Sequence, residues 1–335
     1  MNKLLFIFLF ITPFFGKAQV YPSRLTVASD GSGDYKTIQE AVNSVRDLGS
    51  KQVKIFIRKG IYNEKLVIPS WKTNLHLVGE SKENTIITGN DYSGKIYSGA
   101  PDLFGKTSHS TFTSYTVLIQ GNNCILENLT IQNTAGRLGQ AVALHTEADK
   151  VIVLNCMIKG NQDTLYTAGS VSRQYYKDCY IEGTTDFIFG EATAVFQNCT
   201  IKSLTNSFIT AAATSSNQKF GYVFFDCKLI ADSTAKKVYL GRPWRPYAQT
   251  VFIRTEMGAH IVPQGWDPWI GDKMFPDKEK TTFYAEYKSS GEGSTSTGRI
   301  NWSRQLSKKE VKKYTLENIF SGSGNWNPAF NLDTP

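Results

Sequence analysis

Five short phrases decide the fold: Asn128-Leu129-Thr130-Ile131, Asn155-Cys156-Met157-Ile158, Asp178-Cys179-Tyr180-Ile181, Asn198-Cys199-Thr200-Ile201 and Asp226-Cys227-Lys228-Leu229. Their second residues, at 129, 156, 179, 199 and 227, are separated by 27, 23, 20 and 28 residues. In each phrase the second and fourth residues are apolar or Cys, and the first is Asn or Asp. Alternation of period two marks a strand with one buried face. A strand recurring at this interval is too closely spaced for a domain each time and fits one coil of a β-solenoid. Coils stacked at about 4.8 Å bring equivalent positions into ladders. Cys156, Cys179, Cys199 and Cys227 therefore form an internal column. Free Cys packs as a small hydrophobe, and four thiols in a row cannot surround a tetrahedral ion, so the column is structural. Cys124 lies outside it, and no disulfide pairing follows from the positions.

Outward from these phrases, Val53–Ile57 and Asn74–Gly79 read as earlier strands and Gln249–Arg254 as a later one. Thr37-Ile38-Gln39-Glu40 is a capping box that opens a helix running to about Asp47, placed to cover the open end of the solenoid. From Trp266 onward the repeat fades, and Lys308–Asn318 reads as a C-terminal helix packed on the outside. The expected fold is all-β: a single-stranded right-handed parallel β-helix with a short N-terminal capping helix and a C-terminal extension, in one domain.

The first residues have the form of an export signal. Lys3 precedes the apolar run Leu4–Phe15, which is too short to span a bilayer, and Gly16-Lys17-Ala18 supplies small residues before a cut. Residues 1–18 are expected to be removed, leaving residues 19–335 as the mature chain, secreted or periplasmic. Loss of Lys3 and Lys17 takes the formal charge from +8 to +6. A basic exported protein suits an acidic partner such as a polyuronate, nucleic acid or membrane surface, but scattered charge fits simple solubility almost as well. No other segment is long and apolar enough to cross a membrane.

The ladder also places two acids. Seven residues after Cys156 is Asp163, and seven after Cys179 is Asp186, which puts them one above the other on adjacent coils. Ten residues after the same cysteines come Tyr166 and Phe189, an aromatic pair beside the acids. The same count on the next coil gives Asn206, which confines the acids to two coils. Close carboxylates drive their pKa values apart, so one can stay protonated while the other acts as nucleophile or base. Spacing alone favours slightly a solvated pair of turn aspartates or a cation site.

The words around the acids are more specific. Gln162-Asp163-Thr164-Leu165-Tyr166, Asp186-Phe187-Ile188-Phe189-Gly190 and Leu240-Gly241-Arg242-Pro243-Trp244 resemble signature motifs of the pectinesterase (pectin methylesterase) family. Gly139–Leu144 and Gly60–Glu64 resemble two more, and Asp30–Gly33, Thr37–Val42, Phe283–Tyr287 and Gly298–Trp302 are similar to further family segments in order. The resemblance covers nearly the whole mature chain and implies an exported bacterial member with a pectin-lyase-like solenoid.

It also implies roles. Asp186 would be the nucleophile on a methyl-ester carbonyl, forming an acyl-enzyme, and Asp163 the general acid and then base. Gln140 and Gln162 would donate to the oxyanion, and Arg242 would hold Asp186 ionised. Trp244, Tyr166 and Phe189 would face sugar rings. The implied partner is methyl-esterified polygalacturonate, met by a monomer without cofactor or metal. Gln140 could instead bridge coils, Arg242 could form a generic surface pair, and Trp244 could be partly structural; Tyr62 and Glu64 read as structural. One departure stands out: after Ile209-Thr210-Ala211 the chain has Ala212-Ala213-Thr214 where plant members have Gln-Gly-Arg, so their substrate preference does not transfer.

Other chemistries fit poorly. The chain has no G-x-S-x-G elbow, and His76, His109, His145 and His260 form no H-E-x-x-H pattern; His145 reads as structural. No nucleic-acid fold signature or concentrated basic patch is present. The rivals within the same architecture are a lyase, which needs a calcium-binding acid cluster, and an inverting galacturonase, which needs carboxylates about 6.5–9.5 Å apart. A non-catalytic polysaccharide-binding β-helix is the alternative from another class.

Overall fold

A computed structural model describes residues 21–322, 324 and 326–328. The expected leader at residues 1–18 lies outside the described residues. Three parallel sheets, the first of 11 strands, the second of 8 and the third of 7, make up the described residues, and every pairing between named strands is parallel. One coil runs from Val151–Leu154 in the first sheet to Met157–Lys159 in the second and Leu165–Thr167 in the third, and returns to the first sheet at Arg173–Lys177. This is the right-handed parallel β-helix that the repeat implies.

The first residue of each phrase turns the chain from the first sheet to the second. Asn128, Asn155, Asp178, Asn198 and Asp226 all have left-handed backbone, with φ of 55°, 45°, 54°, 53° and 52°. Asn and Asp tolerate that region better than other residues with a Cβ, which is why they recur there. Behind the turn the four cysteines are buried and unpaired. Three of them donate to a carbonyl of the neighbouring coil: Cys179 to Val153, Cys199 to Tyr176 and Cys227 to Phe196, at 3.4, 3.6 and 3.4 Å. Cys124 is also buried and free. A second internal column stacks Tyr176, Phe196, Phe224 and Phe252 with ring centroids 4.8, 4.5 and 4.3 Å apart, matching the rung spacing.

The helix Ile38–Ser44 caps the open end, with the reciprocal Thr37–Glu40 bonds expected. Glu64 accepts from the N–H groups of Ile38 and Gln39, and Gln39 exchanges two bonds with the backbone of Val67, covering a strand edge. The helix stops at Ser44 rather than Asp47: buried Lys72 reaches in to bond the carbonyls of Asn43 and Val45. At the other end the repeat does not fade where expected. Phe283–Tyr287 and Arg304–Gln305 add two strands to the first sheet. Lys308–Asn318 is not one helix but two short ones, Lys308–Val311 and Leu316–Ile319, because extended Thr315 breaks the chain and caps Asn318. The break lets Val311, Tyr314, Leu316, Ile319 and Phe320 all pack on the outer face of the first sheet.

Candidate active site

The aspartates sit just before the third-sheet strands Leu165–Thr167 and Ile188–Gly190, in left-handed turns with φ of 63° and 50°. The pairing of Leu165 with Ile188 carries Asp163 opposite Asp186, one rung apart. The next rung holds Phe208 instead of Asn206, because Ile188 pairs with Thr210 and the Asp186 N–H bonds to the Phe208 carbonyl. The connection from the second sheet is two residues longer in that coil. Asn206 lies outside the acid rung, where its Oδ1 accepts from the N–H groups of Lys236 and Lys237.

Arg242 arrives from a separate strand, Tyr239–Gly241. Gly241 is required there, since a Cβ would lie 1.9 Å from Thr210 Oγ1. The guanidinium forks onto Asp186, Nε to Oδ1 at 3.0 Å and Nη2 to Oδ2 at 2.7 Å, with both side chains largely buried. It lies 3.7 Å from the Trp269 ring centroid and 4.0 Å from that of Phe208. Such a largely buried bidentate pair is far from a generic surface ion pair. Gly190 ends the second signature for a similar reason: its φ is 127° and an added Cβ would meet the Thr167 carbonyl oxygen at 2.1 Å.

Asp163, Asp186 and Arg242 line a cleft of about 360 Å³ with Gln140, Gln162, Phe189, Ala211 and Trp244. The side-chain amides of Gln140 and Gln162 have no hydrogen bond to a described residue, which argues against a bridging role between coils. Tyr166 is the exception among the expected residues. It stacks behind Phe189 at 4.5 Å and against His145 at 4.4 Å, and its hydroxyl points to Glu191 outside the acid cleft. His145 is buried in that stack, as expected of a structural histidine. Sequence reasoning missed Trp269, Phe112 and Thr111, which complete the lining. The segment holding Trp269 gave one signal, the aromatic pair in Trp266-Asp267-Pro268-Trp269; the loop holding Phe112 gave none.

Electrostatics separates the acids. Burial, and then the neighbouring Asp186, pushes Asp163 well above the ordinary carboxylate range, with Arg242 opposing only in part. Burial raises Asp186 too, but the hydrogen bonds and charge of Arg242 resist the rise. The group without the fork is thus the one that keeps its proton, and the forked one is the better anion. No group of three or more His, Cys, Asp and Glu is placed to share a metal ion among the described residues. A larger polar hollow of about 1120 Å³ on the outer face of the first sheet lacks this arrangement: its Glu127 pairs with His76, and its Asp178 accepts from Asn198.

Fold and site together define a β-helical protein with a cleft built on two buried aspartates and an arginine fork. The chain belongs to the pectinesterase family, whose model matches residues 24–323. It is 38% identical over 325 residues to pectinesterase 2 of Citrus sinensis, an alignment covering 92% of this chain and 60% of that protein. It spans about half the length of several other curated relatives it matches. Among solved structures it resembles the pectin methylesterase from carrot, with 33% identity, a TM-score of 0.82, and 96% of this chain and 99% of that one covered. It also resembles a pectin methylesterase solved in complex with a hexasaccharide, at 31% identity and a TM-score of 0.76, covering 93% and 99% of the two chains. The curated relatives are mainly plant proteins and give no support to a bacterial origin.

Proposed function

We propose that this protein is an exported pectin methylesterase that hydrolyses the methyl esters of polygalacturonate to free carboxylates and methanol. The observation that carries the reading is the asymmetry of the acid pair, Asp186 forked by Arg242 and Asp163 raised beside it without that fork. Asp186 attacks the ester carbonyl carbon, and the amides of Gln140 and Gln162 receive the oxyanion. As the tetrahedral centre collapses, the C–O bond to the methoxyl group breaks and Asp163 donates its proton to the leaving methanol. The resulting anhydride between Asp186 and the galacturonate is attacked by water, whose proton passes to Asp163. Collapse restores the Asp186 carboxylate and releases the sugar acid. Trp244, Phe189, Trp269 and Phe112 supply the flat walls that a sugar chain needs.

On this reading residues 1–18 are a leader, residues 19–335 form one catalytic domain, and the enzyme works outside the cytoplasm, secreted or periplasmic, as a monomer without cofactor, metal or nucleic-acid partner. The apolar run that precedes Gly16-Lys17-Ala18 supports export. A bacterial source is also proposed. The deciding experiment is methanol release from highly methylated pectin, with and without EDTA, by the native enzyme, Asp186→Asn and Asp163→Asn. Chelator-independent release by the native enzyme and near-complete loss in both variants are expected. Unsaturated products absorbing in the ultraviolet, or wild-type release by Asp186→Asn, would sink the reading.

A further inference from the structure

The loop after Trp266 carries a lysine that the reaction does not use directly. The Lys278 side chain is fully buried, and its Nζ lies 2.6 Å from Asp272 Oδ2 and 3.4 Å from the Trp244 carbonyl oxygen. The same ammonium sits 4.4 Å from the centroid of the Trp269 ring. Trp269 is also the ring on which the Arg242 guanidinium rests at 3.7 Å. A buried ammonium is costly to maintain unless it is paired, and here it bonds to both cleft segments, one through Trp244 and one through Asp272.

The surroundings of Lys278 are built to keep it in place. Asp272 also accepts from the N–H groups of Met274 and Phe275, which fixes the carboxylate in a tight turn. The Lys278 carbonyl accepts from the hydroxyls of Thr281 and Thr282, which anchors its backbone. Asp267 accepts from the Trp269 N–H and so sets the start of the same loop.

We propose that Lys278 is a positioning residue for the esterase reaction, clamping Trp269 and the Trp244 backbone so that Arg242 stays forked on Asp186. This rests on the pectin methylesterase reading. Arg242 lies between the rings of Trp269 and Phe208 and keeps the Trp269 side of that sandwich only while Trp269 is held; a fork that rocks by an ångström loses one of its two bonds. Lys278 also adds positive charge near Asp186, where the facing charged groups are Asp163, Arg242, Asp267 and Lys278; the groups facing Lys278 are Asp272, Arg242 and Arg245. Its charge favours ionised Asp186, so losing it shifts Asp186 to a higher pKa.

The test compares Lys278→Met, Lys278→Arg, Trp269→Leu and the Met/Leu double variant on methylated pectin, following kcat, KM and the acid limb of the pH profile. Lys278→Met should lower kcat about tenfold or more with a smaller change in KM, and move the acid limb to higher pH. Lys278→Arg should recover most of kcat. The double variant should be little worse than the poorer single one, because both act through the same ring. Wild-type kcat and an unmoved acid limb in Lys278→Met, or multiplying losses in the double variant, would overturn the proposal. If Lys278→Met does not fold, Asp272→Asn, at a partly exposed position, decides. Reduced kcat supports the clamp, and wild-type kcat rejects it. Asp186→Asn, run alongside, separates the two readings: an active Asp186→Asn rejects the mechanism itself, whereas an inactive one with a wild-type Lys278→Met rejects only the clamp.

Discussion

Arg242 holds both oxygens of Asp186, at 3.0 and 2.7 Å, while Asp163 one rung away forms no ion pair among the described residues. A single residue thereby makes two chemically identical side chains unequal. Lysine at position 242 would keep the charge but could meet only one oxygen at a time and would not lie flat on Trp269. Arg242→Lys should therefore lower kcat for methanol release by about tenfold to a hundredfold, an effect of about 1.4–2.8 kcal/mol on the barrier. Thermal unfolding should move far less. An unchanged kcat would mean that the fork is decorative.

The raised Asp163 links activity and stability to pH. In kcat/KM, activity should fall at low pH as Asp186 takes a proton and at high pH as Asp163 loses one. For stability the sign follows from the raised folded-state pKa of Asp163. Its contribution is fully present below the unfolded pKa of about 3.9 and is lost as pH rises through the folded value, because the anion is buried beside Asp186. Asp163→Asn stays neutral at every pH. It should be inactive yet unfold at a higher temperature than the native enzyme at pH 8, with the gap closing toward pH 4. A Tm difference that does not change with pH would contradict this account.

The coil repeat was readable because each rung obeys the same two demands, a left-handed first residue and an inward second and fourth. Asn155-Cys156-Met157-Ile158 meets both. Asp163 and Asp186 were readable for the same reason, since their two coils have equal connections between the second and third sheets. Where the connection lengthens, from seven residues to nine between Cys199 and Phe208, counting by offset lands on Asn206 and fails. Trp269 and Phe112 stand on loops that leave the repeat, so no register fixes them beforehand. Tyr166 shows a subtler limit: equal offsets predicted its stack on Phe189, but not which of the two rings would face the cleft.

The cysteine column makes a sharp chemical prediction. All five thiols are buried and free, and burial pushes Cys124 up to about 12 and Cys156, Cys179 and Cys199 well above their ordinary value. Reaction with a disulfide reagent needs an accessible thiolate. Native protein at pH 8 should therefore show no rapidly reacting thiol with Ellman's reagent, and all five should react at once in guanidinium chloride. Even one fast thiol before unfolding would mean that the solenoid interior opens locally on the assay timescale.

The left-handed turns give the last prediction, at a position away from the cleft. Asn198 joins the first and second sheets with φ of 53°, and its Nδ2 donates to Asp178 Oδ1. Substitution by Gly loses that bond but accepts the backbone angle freely, whereas Val loses the bond and also suffers the steric clash of a β-branched side chain in this region. Asn198→Val should thus be less stable than Asn198→Gly by about 1–2 kcal/mol in urea unfolding, with the same m-value in both. Methanol release by either folded variant should match the native enzyme, because the third-sheet rungs that carry Asp163 and Asp186 are untouched. Equal stability of the two variants would show that the side-chain ladder, rather than the backbone angle, is what selects Asn at this turn.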